Sequence, residues 1–213
     1  MVMKAKELKE IHLGALAEIY DPMLARHGFA RNRRSDETTR KLGESAQSIW
    51  LYCRPSRGKD NVIGYLGARL SIRFPGLSDI IGRLRNDGAI LHEADGFVGA
   101  YQLRNLMPVR SPFEWSPITP DDFVAAETVV SEEIERWMIP FADETATEEG
   151  FVRLWEADDP RISFGYSVLR GVLAIYIDHG DIKKAKDLAH HIFDGKPELK
   201  TVYAPGLDFV FDL

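Results

Sequence analysis

Leu8, Ile11, Ala15 and Ile19 recur at helical spacing over residues 4–27, with Leu16 widening the apolar stripe. Asp21 and Pro22 supply a cap and a first-turn proline, and Gly28 a stop, so a helix that kinks or restarts at position 21 is predicted. The period then shortens. Residues 29–34, 46–54 and 61–74 read as strands separated by polar or glycine-containing turns such as PSRGKDN. The third is the clearest: Val62, Leu66, Ala68, Leu70, Ile72 and Phe74 alternate with Tyr65, Arg69, Ser71 and Arg73. Such alternation predicts a sheet with one buried and one wetter face. Residues 77–86 suit a short helix, and residues 96–106 and 113–115 suit further strands.

From Thr119 the pattern is helical. Thr119 is a cap, Pro120 fits the first turn, and Asp121 and Asp122 favour the positive helix end. Phe123, Ala126, Val130, Ile134, Trp137 and Phe141 mark one apolar stripe, and Pro140 is expected to bend or end the helix. Thr145 with Glu148 reads as a capping box that opens another helix to about residue 156. Residues 163–178 and 181–193 form a predicted αα-hairpin turning at HGD, with Leu169, Val172, Leu173 and Tyr176 facing Ala185, Leu188, Ala189 and Ile192. No second copy of this hairpin occurs, so a repeat array is not indicated. The apolar tail around Val210 and Phe211 suits a strand or a groove-filling segment.

Together these elements predict an α+β fold: a mostly antiparallel sheet with an N-terminal helix and a C-terminal group of helices including the hairpin. A single domain over residues 1–213 is expected, with a helix-plus-sheet layer at 1–118 and a helical layer at 119–213. Charge follows the same division. Residues 1–117 hold 18 Lys+Arg against 13 Asp+Glu, and residues 118–213 hold 9 against 20. The net charge of −6 disfavours general attraction to nucleic acid or an anionic membrane, although a local basic patch escapes that argument. No apolar run reaches the roughly 20 residues of a membrane helix. MVMKAKELKE turns charged where a signal peptide needs its apolar stretch, and Cys53 is the sole cysteine, so a reducing, cytoplasmic location is expected.

Few sequence features carry chemistry. Cys53 shares a strand face with Ile49 and Leu51 and reads as a small buried residue rather than a nucleophile. The six histidines form no metal-binding motif, and His179 is explained by the dipole at a helix C-terminus. GYLGARL lies inside a strand pattern, so its glycines mark kinks or close packing rather than a phosphate loop. Neither a cofactor nor a metal is indicated, and no catalytic residue is assigned. The sharpest surface is a basic and aromatic sheet face. Trp50, Tyr52 and Arg54 share one side of their strand, Tyr65, Arg69 and Arg73 one side of theirs, and Arg31, Arg33, Arg34, Arg40 and Lys41 lie upstream. Aromatic rings among arginines suit single-stranded nucleic acid, and they equally suit a solvated or helix-covered face.

RHGFARNRR after the first helix, the strands SIWLYCRPS and IGYLGARLSIRF, the segment MIPFADETATEEGFVRLWE and the hairpin YIDHGDIKKAKDLAHHIF resemble the bacterial domain-of-unknown-function 4304 family. Residues 76–118 are longer than that pattern. The resemblance implies a helix leading into a Gly-Phe strand start, a sheet and a late helical hairpin, and it brings no activity or catalytic residue. A loose link to toxin and immunity systems comes with it. The leading functional expectation is a non-enzymatic, macromolecule-binding, immunity-type protein, whose acidic helical surface (Glu132, Glu133, Glu135, Glu148, Glu149, Asp158 and Asp159) meets a basic protein partner. The alternative is a small-anion-binding protein or enzyme with a pocket between sheet and helices, using Arg33, Arg69 or Arg73. A pocket joining an arginine, a histidine and a carboxylate would favour that alternative. Nucleic-acid binding through the basic and aromatic face stands third.

Overall fold

The computed structural model describes residues 5–31, 37–56, 63–84, 95–108, 115–162, 165–195 and 208–213. Its first helix, α1 (Ala5–Ala15), passes through a π turn at Leu16–Tyr20 into α2 (Asp21–Arg26). The Asp21 amide reaches back five residues to the Leu16 carbonyl. Pro22 has no amide to donate, and its ring would crowd the carbonyl four residues back. A wider turn placed just before the proline lets the helix run on. The same device recurs where α5 (Pro120–Glu133) passes through a π turn at Ile134–Met138 into α6 (Ile139–Glu144), the Ile139 amide bonding the Ile134 carbonyl directly before Pro140. Of the bend or end expected at Pro140, the end does not occur, because the widened turn carries the helix on into α6.

Strands β1 (Ala30–Arg31), β2 (Glu37–Leu42), β3 (Ser45–Pro55), β4 (Gly64–Arg73) and β5 (Phe97–Gln102) build one five-stranded antiparallel sheet in sequential order. With the helices, this gives the expected α+β fold. Strand β4 alternates as read: Leu66, Ala68, Leu70 and Ile72 are buried while Arg69 is exposed. Strand β2 was not anticipated, because its buried positions are Thr38 and Arg40. The Thr38 hydroxyl donates to the Ile49 carbonyl at 3.3 Å. Arg40 donates to Gln47 at 2.8 Å, the His27 carbonyl at 3.0 Å and Asp143 at 2.6 Å, with its guanidinium over the Phe29 ring. Polar alternation thus forms this strand, and Arg40 is committed to the interior rather than to a basic surface.

Two further boundaries change. The chain leaves β5 directly into a short helix, α4 (Leu103–Leu106), so the strand expected to residue 106 ends at Gln102. Helix α7 (Glu148–Glu156) is capped by Thr147, whose hydroxyl accepts from the Gly150 amide at 3.1 Å, while Thr145 is fully buried. The Thr119 box forms as expected, with reciprocal bonds to Asp122 of 2.9 and 3.1 Å. Short helix α3 (Ser78–Arg83) falls where one was read. The hairpin forms from α8 (Tyr166–Asp178) and α9 (Ile182–Gly195), turning at Gly180 with φ +76°.

By its internal contacts the chain divides into two units, residues 1–42, 47–71 and 100–144 in one and 43–46, 72–99 and 145–213 in the other. Strands β3, β4 and β5 contribute residues to both. In the first, α1 and its π turn pack on α5, and Tyr101 meets Phe141 edge-on. In the second, α8 is buried almost continuously from Val168 to Tyr176, against α3, α7 and α9. Among the described residues, no helix is long and apolar enough to cross a membrane.

Candidate functional site

Leu8, Ala15 and Leu16 of the first helix are buried as expected, and the remaining buried positions shift by one residue, from Ile11 and Ile19 to His12 and Tyr20. Leu8, His12, Leu16 and Tyr20 are buried, whereas Ile11 and Ile19 are half-buried. His12 is tolerated inside because Glu127 of α5, wholly buried, faces it: His12 Nδ1 lies 2.7 Å from Glu127 Oε1. The Tyr20 hydroxyl donates to Glu127 Oε2 at 2.6 Å and approaches the Glu127 carbonyl at 3.1 Å. Burial first, and the Glu127 charge second, push the Tyr20 hydroxyl well above its ordinary range, so it remains a donor. Both carboxylate oxygens are engaged, which assigns the imidazole hydrogen to Nδ1. His12 Nε2 is left buried without a hydrogen-bond partner among the described residues.

The same histidine lines a cavity of about 320 Å³ between α1 and β3. Helix α1 contributes Leu8, Lys9, His12 and Leu13, and β3 contributes Trp50, Tyr52, Cys53, Arg54 and Pro55. No carboxylate lines it among the described residues. Trp50 and Tyr52 have ring centroids 5.2 Å apart, and the Arg54 guanidinium lies 5.1 Å from the Tyr52 ring centre. A side chain at Gly67 would collide with the Tyr52 ring and hydroxyl. The glycine therefore marks close packing, as read from sequence, and it places Trp50, Tyr52 and Arg54 on the sheet face of Tyr65 and Arg69. Cys53 alternates to the opposite face. Burial, followed by the Glu127 charge, pushes its thiol up to about 12, so it stays protonated at neutral pH.

The residues singled out from sequence are dispersed. Trp50 is 44% exposed and Tyr52 buried; both line the cavity. Arg69 is exposed, whereas Arg73 is half-buried and sits 3.2 Å from Asp95. Arg33 lies outside the described residues, as do Arg34 and Val62. Of the acidic set, Glu132 and Glu149 are exposed. Glu133 meets Arg136 at 3.4 Å, and Glu135 meets Arg26 at 3.0 Å and His27 at 3.1 Å. Bonds from His27 and then Arg26 hold the Glu135 carboxyl below its ordinary range. Asp159 is bonded by Arg161 at 2.8 Å.

Glu148 is buried in the second unit, with His179 Nε2 3.2 Å away, and the Glu44 carboxylate accepts from the Glu148 amide at 2.8 Å. Burial, Glu44 and Asp178 raise the Glu148 carboxyl, and His179 opposes them. His179 caps α8 and is at once the neighbour of a buried carboxyl. Donor atoms of Glu148, Asp178 and His179 lie within 4.8 Å of one another.

His12, Glu127 and Lys9 were not among the expected site residues, whereas Arg54 was read only as part of the basic and aromatic sheet face. A signal was present: His12 falls four residues after Leu8 and four before Leu16, and Glu127 four after Phe123 and three before Val130. Ionisable residues at those places interrupt apolar stripes on two helices. No protein-family model, curated protein or solved structure matches the chain.

Proposed function

We propose that this chain binds a small anion with a flat or apolar body in the cavity between α1 and β3. The observation that carries the reading is the convergence of Lys9, His12 and Arg54 on a cavity whose other walls are Leu8, Leu13, Trp50, Tyr52 and Pro55. Lys9, His12 and Arg54 offer nitrogen-bearing side chains to an anionic group, and the aromatic and aliphatic walls favour an apolar remainder. A volume of about 320 Å³ is at the small end of ligand pockets, which run from roughly 300 to 1,000 Å³. The cavity lining joins an arginine and a histidine, while the Glu127 carboxylate bonds that histidine from outside the lining. The acidic-helix reading draws less support, because Glu133, Glu135 and Glu148 already have cationic or histidine neighbours.

Saturation-transfer NMR with benzoate, benzamide and benzylamine tests the proposal. Benzoate is expected to bind best and benzylamine least, and the double variant Lys9→Gln, Arg54→Gln should erase the preference. Equal transfer to all three, or none to benzoate, would overturn it.

A further inference from the structure

Resting on that anion-binding reading, we infer that the anion is an aromatic carboxylate and that Trp50 is the residue that selects its ring. Trp50 is 44% exposed and Leu13 41% exposed, although both side chains are large and apolar. Single exposed apolar side chains are ordinary on a protein surface. These two instead line one cavity from different elements, Leu13 from α1 and Trp50 from β3, with Leu8, Tyr52 and Pro55 completing its apolar walls. A ligand with an apolar body takes that open surface out of water, which is favourable in proportion to the area covered.

Burial alone does not distinguish a flat ring from a puckered one; the setting of Trp50 does. Gly67 carries no Cβ, so the Tyr52 ring and hydroxyl lie where any larger residue would collide with them. Tyr52 is buried there, with the Arg54 guanidinium 5.1 Å from its ring centre. Trp50 leans on Tyr52, their centroids 5.2 Å apart and their planes at 43°. The indole therefore has a fixed neighbour before any ligand arrives, and a surface ordered beforehand loses little entropy on binding. Contact between aromatic rings adds about twofold to tenfold in affinity beyond the area buried. A saturated ring of the same size covers at least as much apolar surface without that gain. Because both ligands carry one carboxylate, the choice between them does not depend on whether Lys9 or Arg54 meets the charge.

Calorimetric titration of the full chain with benzoate and with cyclohexanecarboxylate at pH 7.5, where both are ionised, separates ring recognition from charge. Benzoate is expected to bind about threefold to tenfold more tightly, although the saturated acid is the more apolar of the two. Trp50→Leu keeps an apolar side chain at this exposed position and should bring the two affinities within about twofold of each other, by weakening benzoate alone. Indole N–H signals in 15N NMR give a second readout. The signal that Trp50→Leu removes should shift when benzoate is added to the unmodified chain, and shift less with cyclohexanecarboxylate. Equal affinities in the unmodified chain, tighter binding of the saturated acid, or a benzoate preference retained by Trp50→Leu would overturn this inference and leave the anion-binding reading standing. Absence of binding of both acids would overturn both.

Discussion

Tyr20 and Tyr101 form a matched pair for testing the buried network. Each is only 1% exposed, so replacing either by phenylalanine removes one hydroxyl from an equally buried ring. Their hydroxyls differ in what they touch. That of Tyr20 donates to Glu127 Oε2 at 2.6 Å, whereas that of Tyr101 has no hydrogen-bond partner among the described residues. A bond to a charged acceptor contributes roughly 1.5–3 kcal/mol, and its loss leaves a buried carboxylate oxygen unsatisfied. Tyr20→Phe is therefore expected to cost about 2 kcal/mol, or roughly 4–8 °C in Tm for a chain of this size. Tyr101→Phe removes an unpaired buried hydroxyl and is expected within about 0.5 kcal/mol of neutral, or stabilising. Urea denaturation with matched m-values measures both. Equal losses for the two variants would refute the network's contribution, since ring burial would then account for everything.

Three other outcomes follow from the geometry. With the Cys53 thiol raised from an ordinary 9.0 to about 12, alkylation by iodoacetamide at pH 8 should be about a thousandfold slower in the folded than in the unfolded chain. Because the folded state then holds its proton while the unfolded chain loses it, stability should also fall as pH rises from 9.0 toward about 12. Since the folded Glu148 carboxyl is raised, its contribution to stability is present below the ordinary carboxylate range and lost as pH rises through the folded value. Glu148→Gln should therefore stabilise the chain at pH 8 and lose that advantage at pH 4; the reverse order in denaturation curves would show that the His179 pair dominates. Gly96 and Gly180 share nearly the same φ, +77° and +76°, but a side chain at Gly96 would strike the Phe74 carbonyl whereas Gly180 has open space. Gly180→Ala should cost about 1–2 kcal/mol for its backbone conformation alone, and Gly96→Ala distinctly more in the same assay.

What was legible in the chain follows from which forces leave a local trace. Alternation in β4, the Thr119 box and the HGD turn are local devices, and each lies where the pattern put it. Strand β2 escaped because its inward positions are Thr38 and Arg40, satisfied by partners as distant as Asp143. The restart read at position 21 is where α2 begins, but the widened turns at Leu16–Tyr20 and Ile134–Met138 that carry the helices past the prolines left no trace, since nothing in the adjacent residues marks a five-residue hydrogen bond. His12 was hidden by a rotation of one residue in the buried stripe, which places His12 rather than Ile11 inside. That rotation is favourable only because Glu127, 115 residues away, supplies the partner. Trp50 and Tyr52 were legible as an aromatic face, but their cavity needs α1 laid against β3, a pairing that periodicity does not encode.

The anion site is tested most directly by locating a ligand in it. A crystal structure of the chain with 4-bromobenzoate would place the ring through the anomalous signal of its bromine. The expected result is a bromine peak in the cavity between α1 and β3, with the carboxylate within ion-pairing distance of Lys9 or Arg54. A bromine peak elsewhere, with that cavity unliganded at saturating 4-bromobenzoate, would contradict the account.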